Sequence, residues 1–342
     1  MKTVLQDVKP RRRSVCKALG GPLAPPGAPA SGAGPVQLGS ARRRLVAGGA
    51  LAASLAGLTG WLAGRDAHAT TAAAPDGRPP LTGRAPALFI GHGSSMNALH
   101  DNAFTRRLQQ WGHEIGQPRA ILMVSAHWLT EREVKVSTTA RPPMIYDFGG
   151  FPGALYAQQY PAPGAPEVAL RAARVLGPRP VGVDSVRGLD HGAWTVLKFL
   201  YPAADVPVFQ LSIDINQAGA FHHAIGRQIA SLRDEGVLIV GSGNIVHNLR
   251  ATMSGQADSA QGLSPWAEGF DQMVKQALDA GDAAALMRYE RLGPHAAMAV
   301  PFPDHYFPLL YALGAAQAGE RARHVFEGFQ AGTLSMRCLQ FG

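Results

Sequence analysis

The chain has 342 residues, 46% of them hydrophobic, and a formal net charge of +8 at pH 7. That apolar content excludes a wholly disordered chain and is enough for a full-sized core. The charge alone would favour nucleic acid or a membrane surface as partner, so its position along the chain decides the matter.

The charge lies at the front. Of the 32 basic and 24 acidic residues, ten basic ones (Lys2, Lys9, Arg11, Arg12, Arg13, Lys17, Arg42, Arg43, Arg44 and Arg65) but only two acidic ones, Asp7 and Asp66, precede Ala69. The remainder is neutral, and no nucleic-acid partner is expected. Cys16 falls in the same front segment and Cys338 stands alone behind it, so no intrachain disulfide is expected after processing.

From Ser40 onward come paired arginines, a weakly apolar Gly/Ala-rich run, and Ala67-His68-Ala69 with small residues at the −3 and −1 positions. This is the order of a secretory signal peptide. Arg42-Arg43 followed by a mild apolar segment resembles a twin-arginine (Tat) signal. That implies export to the periplasm through the Tat translocon, which carries folded cargo with its metal already inserted. The alternative is a membrane anchor left uncleaved, since Leu45 to Gly64 has about the ~20 residues needed to span a bilayer. Residues 1–69 thus read as a disordered extension plus signal peptide, 70–86 as a linker, and 87–342 as one folded domain.

Within that domain, apolar runs of strand length occur at Ala87 to Gly91, Ala120 to Ser125, Val134 to Thr138, Pro207 to Ile213 and Val237 to Val240. Helical periodicity marks Ala103 to Trp111, Pro166 to Leu176, Ala193 to Tyr201, Ala218 to Arg233, Pro265 to Ala280 and Tyr306 to Ala315. Continuous apolar strands alternating with helices predict an α/β single domain with a largely parallel central sheet flanked by helices.

Three histidines follow strands directly: His92 after ALFIG, His127 after AILMVS, and His247 a short loop after VLIV. In open α/β sheets the ligand crevice lies beyond the carboxyl ends of the strands, so these three can converge there. Gly91, Gly93, Gly241 and Gly243 permit the tight turns this requires. Neither segment completes a dinucleotide fingerprint or a phosphate loop, and Ser94, Ser95 and Ser242 are not framed as a nucleophile elbow. Imidazole ligands imply zinc or a transition metal rather than magnesium or calcium. His191 and His305 each begin a predicted helix, where the macrodipole favours the neutral imidazole used as base or ligand. His100, His113, His222, His223 and His324 read as surface or helix-face residues.

The segments GHGSSMNA (91–98), SAHW (125–128), DFGGFP (147–152), YPAPG (160–164), DHGAW (190–194), QLSID (210–214), SGNIVHN (242–248) and PDHY (303–306) together resemble the 4,5-DOPA extradiol dioxygenase family, class III or LigB-type ring-cleaving enzymes. The resemblance runs from about Ala87 to Gly342. It implies metal ligands at His92, His127 and His247, with His305 as a fourth ligand or close neighbour, and His191 as the acid-base residue. It further implies one ferrous ion per chain, with zinc as the alternative, and a catechol and O2 as substrates. Ser95 stands where that family usually has proline, and its cytosolic members have no long leader. The loop Tyr146 to Phe151 offers mobile glycines and stacking aromatics, which makes Tyr146, Asp147 and Phe148 candidate substrate-binding residues. The competing readings are an exported zinc hydrolase on the same scaffold, with metal-bound water as nucleophile, and a periplasmic metal- or catecholate-binding protein.

Overall fold

The computed structural model describes residues 77–177, 179–253 and 262–342. The expected signal peptide and residues 70–76 of the linker lie outside the described residues. Four parallel strands carry the fold: β1 (Ala87–Gly91), β2 (Ala120–Ser125), β3 (Val208–Gln210) and β4 (Val237–Gly243). At one edge β6 (Cys338–Phe341) runs antiparallel to β1, and β5 (Arg323–Phe326) pairs antiparallel with β6, giving the order β3-β2-β4-β1-β6-β5. The helices are α1 (Ala103–Ile115), α2 (Pro166–Val175), α3 (His191–Leu200), α4 (Gly219–Ile229), α5 (Pro265–Ala280) and α6 (Phe307–Ala315).

Every residue of β1, β2 and β4 is buried, as parallel strands covered on both faces require. Alternate side chains serve the two layers. Phe89, Leu122 and Ile239 pack with Ile225 of α4, Phe270 of α5 and Leu310 of α6. Their sequence neighbours Leu88, Ile121 and Leu238 pack on the other face with Trp111 of α1 and Trp194 of α3. A reciprocal capping box fixes where α1 begins. The Thr105 amide donates to Asn102 Oδ1 at 3.0 Å, and the Asn102 amide donates to Thr105 Oγ1 at 2.9 Å.

The run 207–213, read as one strand, is divided in two. After Gln210 the chain leaves the main sheet, and Ile213–Asp214 pairs instead with Leu129–Thr130. Lys135 N–H donates to Ser212 Oγ at the break. His222, expected on a surface or helix face, lies on α4 but is fully buried, its Nδ1 3.0 Å from Tyr311 Oη and its ring stacked on Phe307. His324 sits in β5 between Asp279 and Arg337. Both are structural.

The strand ends that matter are stitched together. His92 N–H donates to Gly243 O and Ala126 N–H to Ser242 O, each at 3.0 Å, so the exits of β1, β2 and β4 lie side by side. Gly243 has to be glycine, because a Cβ there would overlap the His305 carbonyl. That same carbonyl accepts the Asn244 amide at 2.9 Å. A buried ion pair between Asp271 of α5 and Arg337 holds the segment before β6, with Ser335 Oγ also donating to Asp271 at 2.6 Å. Through that segment the Arg337 carbonyl accepts Gly91 N–H at 3.0 Å, and the Ser335 carbonyl accepts Asn244 Nδ2 at 2.7 Å.

Candidate metal centre and active site

Five histidines meet in one cavity of about 400 Å³ beyond the carboxyl ends of β1, β2 and β4: His92, His127, His191, His247 and His305. A cavity of this size suits a small molecule. The donor atoms of His92, His127 and His191 lie within 4.8 Å of one another, and so do those of His247, Asp304 and His305. The rings of His247 and His305 stack in parallel with centroids 3.4 Å apart, and the His305 ring is 5.3 Å from that of His92 and 5.0 Å from that of His127. His247, grouped with His92 and His127 in the sequence, therefore packs most closely on His305. His191 takes the place nearest to His127, with ring centroids 3.9 Å apart.

Hydrogen bonds decide which ring nitrogens face inward. Ser242 Oγ donates its proton to the Gly192 carbonyl at 2.6 Å, so toward His92 it can only accept. His92 Nδ1, 3.0 Å away, is therefore the protonated nitrogen, and Nε2 carries the free lone pair. His127 points Nδ1 at Asp147 Oδ2, 3.4 Å away, which likewise leaves Nε2 as the acceptor. The two Nε2 atoms are 3.4 Å apart. Two imidazole lone pairs held face to face repel unless a cation lies between them, and outer partners that fix the tautomer are the usual support of metal-binding histidines. Adjacent nitrogen ligands at about 2.0–2.1 Å from one ion stand roughly 3 Å apart, so this pair fits a shared metal.

Burial keeps these rings neutral, as ligands must be. Desolvation, followed by the positive charges that neighbouring histidines would carry, pushes His92 and His305 well below the usual histidine range. The same desolvation takes His127 and His247 down to about 4. Asp304 is raised by burial. It stands beside His305, its Oδ2 3.0 Å from Nδ1, while Oδ1 accepts the His305 amide at 2.8 Å.

His191 is the first residue of α3 and owes its position to Asp190. Asp190, fully buried, caps the helix through the Ala193 amide and accepts Ser125 Oγ and Arg187 Nη2, both at 2.6 Å. Asp147 Oδ1 then accepts both the His191 amide at 3.0 Å and His191 Nδ1–H at 2.9 Å. Burial alone would raise the Asp147 carboxyl, but the bonds from His191 outweigh it and hold the group at about 2. A carboxylate has no proton to give, so His191 Nδ1 carries the hydrogen and its Nε2 is left free to take one.

The residues read as substrate-binding part company. Asp147 and Phe148 line the cavity, with Phe148 5.5 Å from the His191 ring. Tyr146 does not line it; its hydroxyl donates to the Gln158 carbonyl at 2.6 Å, and its ring braces the loop against Trp194. Asp304, Leu249 and Leu334 complete the cavity without having been singled out. Asp304 was legible as the acidic neighbour of His305; nothing in the sequence marked the two leucines.

A family model described as the catalytic LigB subunit of aromatic ring-opening dioxygenase matches residues 86–336. The 4,5-DOPA dioxygenase extradiol of Escherichia coli (strain K12) is 47% identical over 264 residues, covering 76% of this chain and 95% of that protein. That of Beta vulgaris is 39% identical over 260 residues, covering 74% and 95%. A solved structure of an uncharacterized Escherichia coli K12 protein superposes with a TM-score of 0.65 at 40% identity, covering 76% of this chain and 100% of the other.

Fold and site together define a metal-dependent α/β enzyme whose ion is bound by imidazoles at the strand ends. The chain belongs to the LigB family of aromatic ring-opening dioxygenases. It is an extradiol ring-cleaving dioxygenase, an oxidoreductase that uses a histidine-bound non-haem metal. This decides against the hydrolase and simple binding readings.

Proposed function

We propose that this enzyme opens a catechol of the DOPA type at a ferrous ion held by His92, His127 and His247, with His305 beside them and His191 as the proton carrier. The observation that carries this reading is the facing pair of unprotonated Nε2 atoms on His92 and His127, with His191 oriented separately by Asp147. Iron is favoured over zinc because O2 chemistry needs a metal that exchanges electrons, which zinc does not. When bound, the metal supplies the template on which the catechol oxygens and O2 are brought together.

The chain's own groups do the rest. Phe148 provides an aromatic wall beside His191, against which the substrate ring can rest. His191 Nε2 takes a proton from a catechol hydroxyl and later returns one to the ring-opened product, while Asp147 holds the imidazole in the tautomer that makes this possible. Phe151 and Leu249 add apolar surface to the cavity wall.

Anaerobic reconstitution with ferrous ion, followed by 4-methylcatechol and DOPA in an oxygen electrode, tests the reading. One O2 should disappear per catechol, with a yellow ring-opened product, and zinc-loaded protein should be inactive. Turnover without O2 uptake would overturn it. The leader points to export: if residues 1–69 direct the folded protein to the periplasm through the Tat translocon, changing Arg42 and Arg43 to lysine should leave precursor in the cytoplasm. Undiminished periplasmic protein would instead indicate the general secretory route.

A further inference from the structure

His127 is gripped by its peptide as well as by its ring. Its amide donates to Ser125 Oγ at 3.3 Å, and its carbonyl accepts Arg187 Nη2 at 3.2 Å. Both of those groups go on to one buried carboxylate: Ser125 Oγ donates to Asp190 Oδ1 and Arg187 Nη2 to Asp190 Oδ2, each at 2.6 Å. The Ser125 hydroxyl has a single proton and gives it to Asp190, so toward the His127 amide it can only accept. Asp190 therefore closes a ring of hydrogen bonds around the backbone of the metal-binding histidine, and the next residue in the chain is His191.

The cap that starts α3 accounts for little of this. Capping asks only that Asp190 Oδ1 accept the Ala193 amide, which it does at 3.2 Å, and it needs neither Ser125 nor Arg187. What those two add is a fixed approach. A carboxylate with no exposed surface has to be paired, and its partners here are the groups that hold His127. Gly192 shows how close the two sides come, because a Cβ there would lie 2.5 Å from Ser125 Oγ and 2.8 Å from His127 Cδ2. The turn that delivers His191 is thus seated against the His127 ring, whose centroid is 3.9 Å from that of His191.

We propose that Ser125 and Arg187 are positioning residues of the active site. Through Asp190 they set the spacing between the metal-binding His127 and the proton carrier His191, so that one buried unit governs metal binding and proton transfer together. Neither residue lines the cavity. The assignment rests on the roles proposed above for the two histidines.

The test uses two variants of the full chain. Ser125→Ala deletes one link and leaves Asp190 paired with Arg187, while Arg187→Lys keeps a cation beside Asp190 but lacks the guanidinium fork that reaches His127. Two quantities are read: zinc Kd by chelator competition, which needs no turnover, and the single-turnover rate with 4-methylcatechol at saturating ferrous ion. Each variant should bind zinc more weakly and react more slowly by about 10- to 100-fold, the range for loss of an outer partner of a metal ligand. Circular dichroism should show the fold intact. Combined with His191→Ala, the same changes should lose most of their effect on the rate, because the spacing then serves no proton carrier. Variants that melt earlier yet keep wild-type zinc affinity and rate would reduce Ser125 and Arg187 to braces of the fold and overturn the proposal. So would an equal loss of rate with and without His191. Failure of the wild-type enzyme to consume O2 with 4-methylcatechol would instead strike the dioxygenase reading, and the zinc titrations would still decide whether the hydrogen-bonded ring supports His127.

Discussion

Alanine at His92 or at His127 is expected to strip the metal and reduce ring cleavage to background. Each replacement removes one of the two lone pairs that face each other 3.4 Å apart, and the remaining partners cannot rotate to replace it. His92 is pinned through Nδ1 by Ser242, and His127 is held between Asp147 and the neighbouring His191 ring. Ser242→Ala provides the graded comparison. It leaves the ligand in place but frees its tautomer, so metal affinity should fall by about 10- to 100-fold, the usual cost of removing an outer partner. The histidine variants should lose more than that. Metal content by elemental analysis, with circular dichroism to show that the fold persists, decides the matter. Wild-type stoichiometry in His92→Ala or His127→Ala would remove that residue from the ligand set.

For His191→Ala the expected pattern is different: metal retained, 4-methylcatechol still bound under anaerobic conditions, and turnover lower by ~10²- to 10⁴-fold, as for loss of a positioned proton-transfer group. The geometry allows a sharp alternative, because the donor atoms of His191 lie in one group with those of His92 and His127. If the variant loses its iron, His191 is a ligand and the proton carrier lies elsewhere. If activity survives and only stability falls, His191 merely begins α3. Asp147→Asn should fall between wild type and His191→Ala in single-turnover rate. The amide keeps the shape but can donate as well as accept, so it no longer fixes which nitrogen of His191 holds the proton.

Periodicity and punctuation made most of the frame legible. β1 and β2 begin and end where their apolar runs do, and α5 matches its predicted span. The convergence of His92, His127 and His247 followed from their position after strands that were expected to be parallel. The antiparallel edge did not: RHVF and CLQF are too short to show a period, and their place beside β1 is set by long-range pairing. The partners of the histidines were hidden for a related reason. Asp147 with His191, and Ser242 with His92, are separated by 44 and 150 residues, and no local pattern encodes which side chain will meet which. Tyr146 illustrates the converse, since an aromatic in a glycine-rich loop reads as a substrate contact until its hydroxyl is seen to be committed to Gln158.

The pairing of β1 with β6 also sets an order of events in the cell. Ala87 lies opposite Phe341 and Ile90 opposite Cys338, so the strand that delivers His92 gains its neighbour on that side only when residue 341 has cleared the ribosome. Chains fold from the amino end as they are made, yet here the strand that leads into His92 waits for a segment far later in the sequence. A chain truncated before β6 would thus keep all five cavity histidines but lack the strand that flanks β1 beside His92.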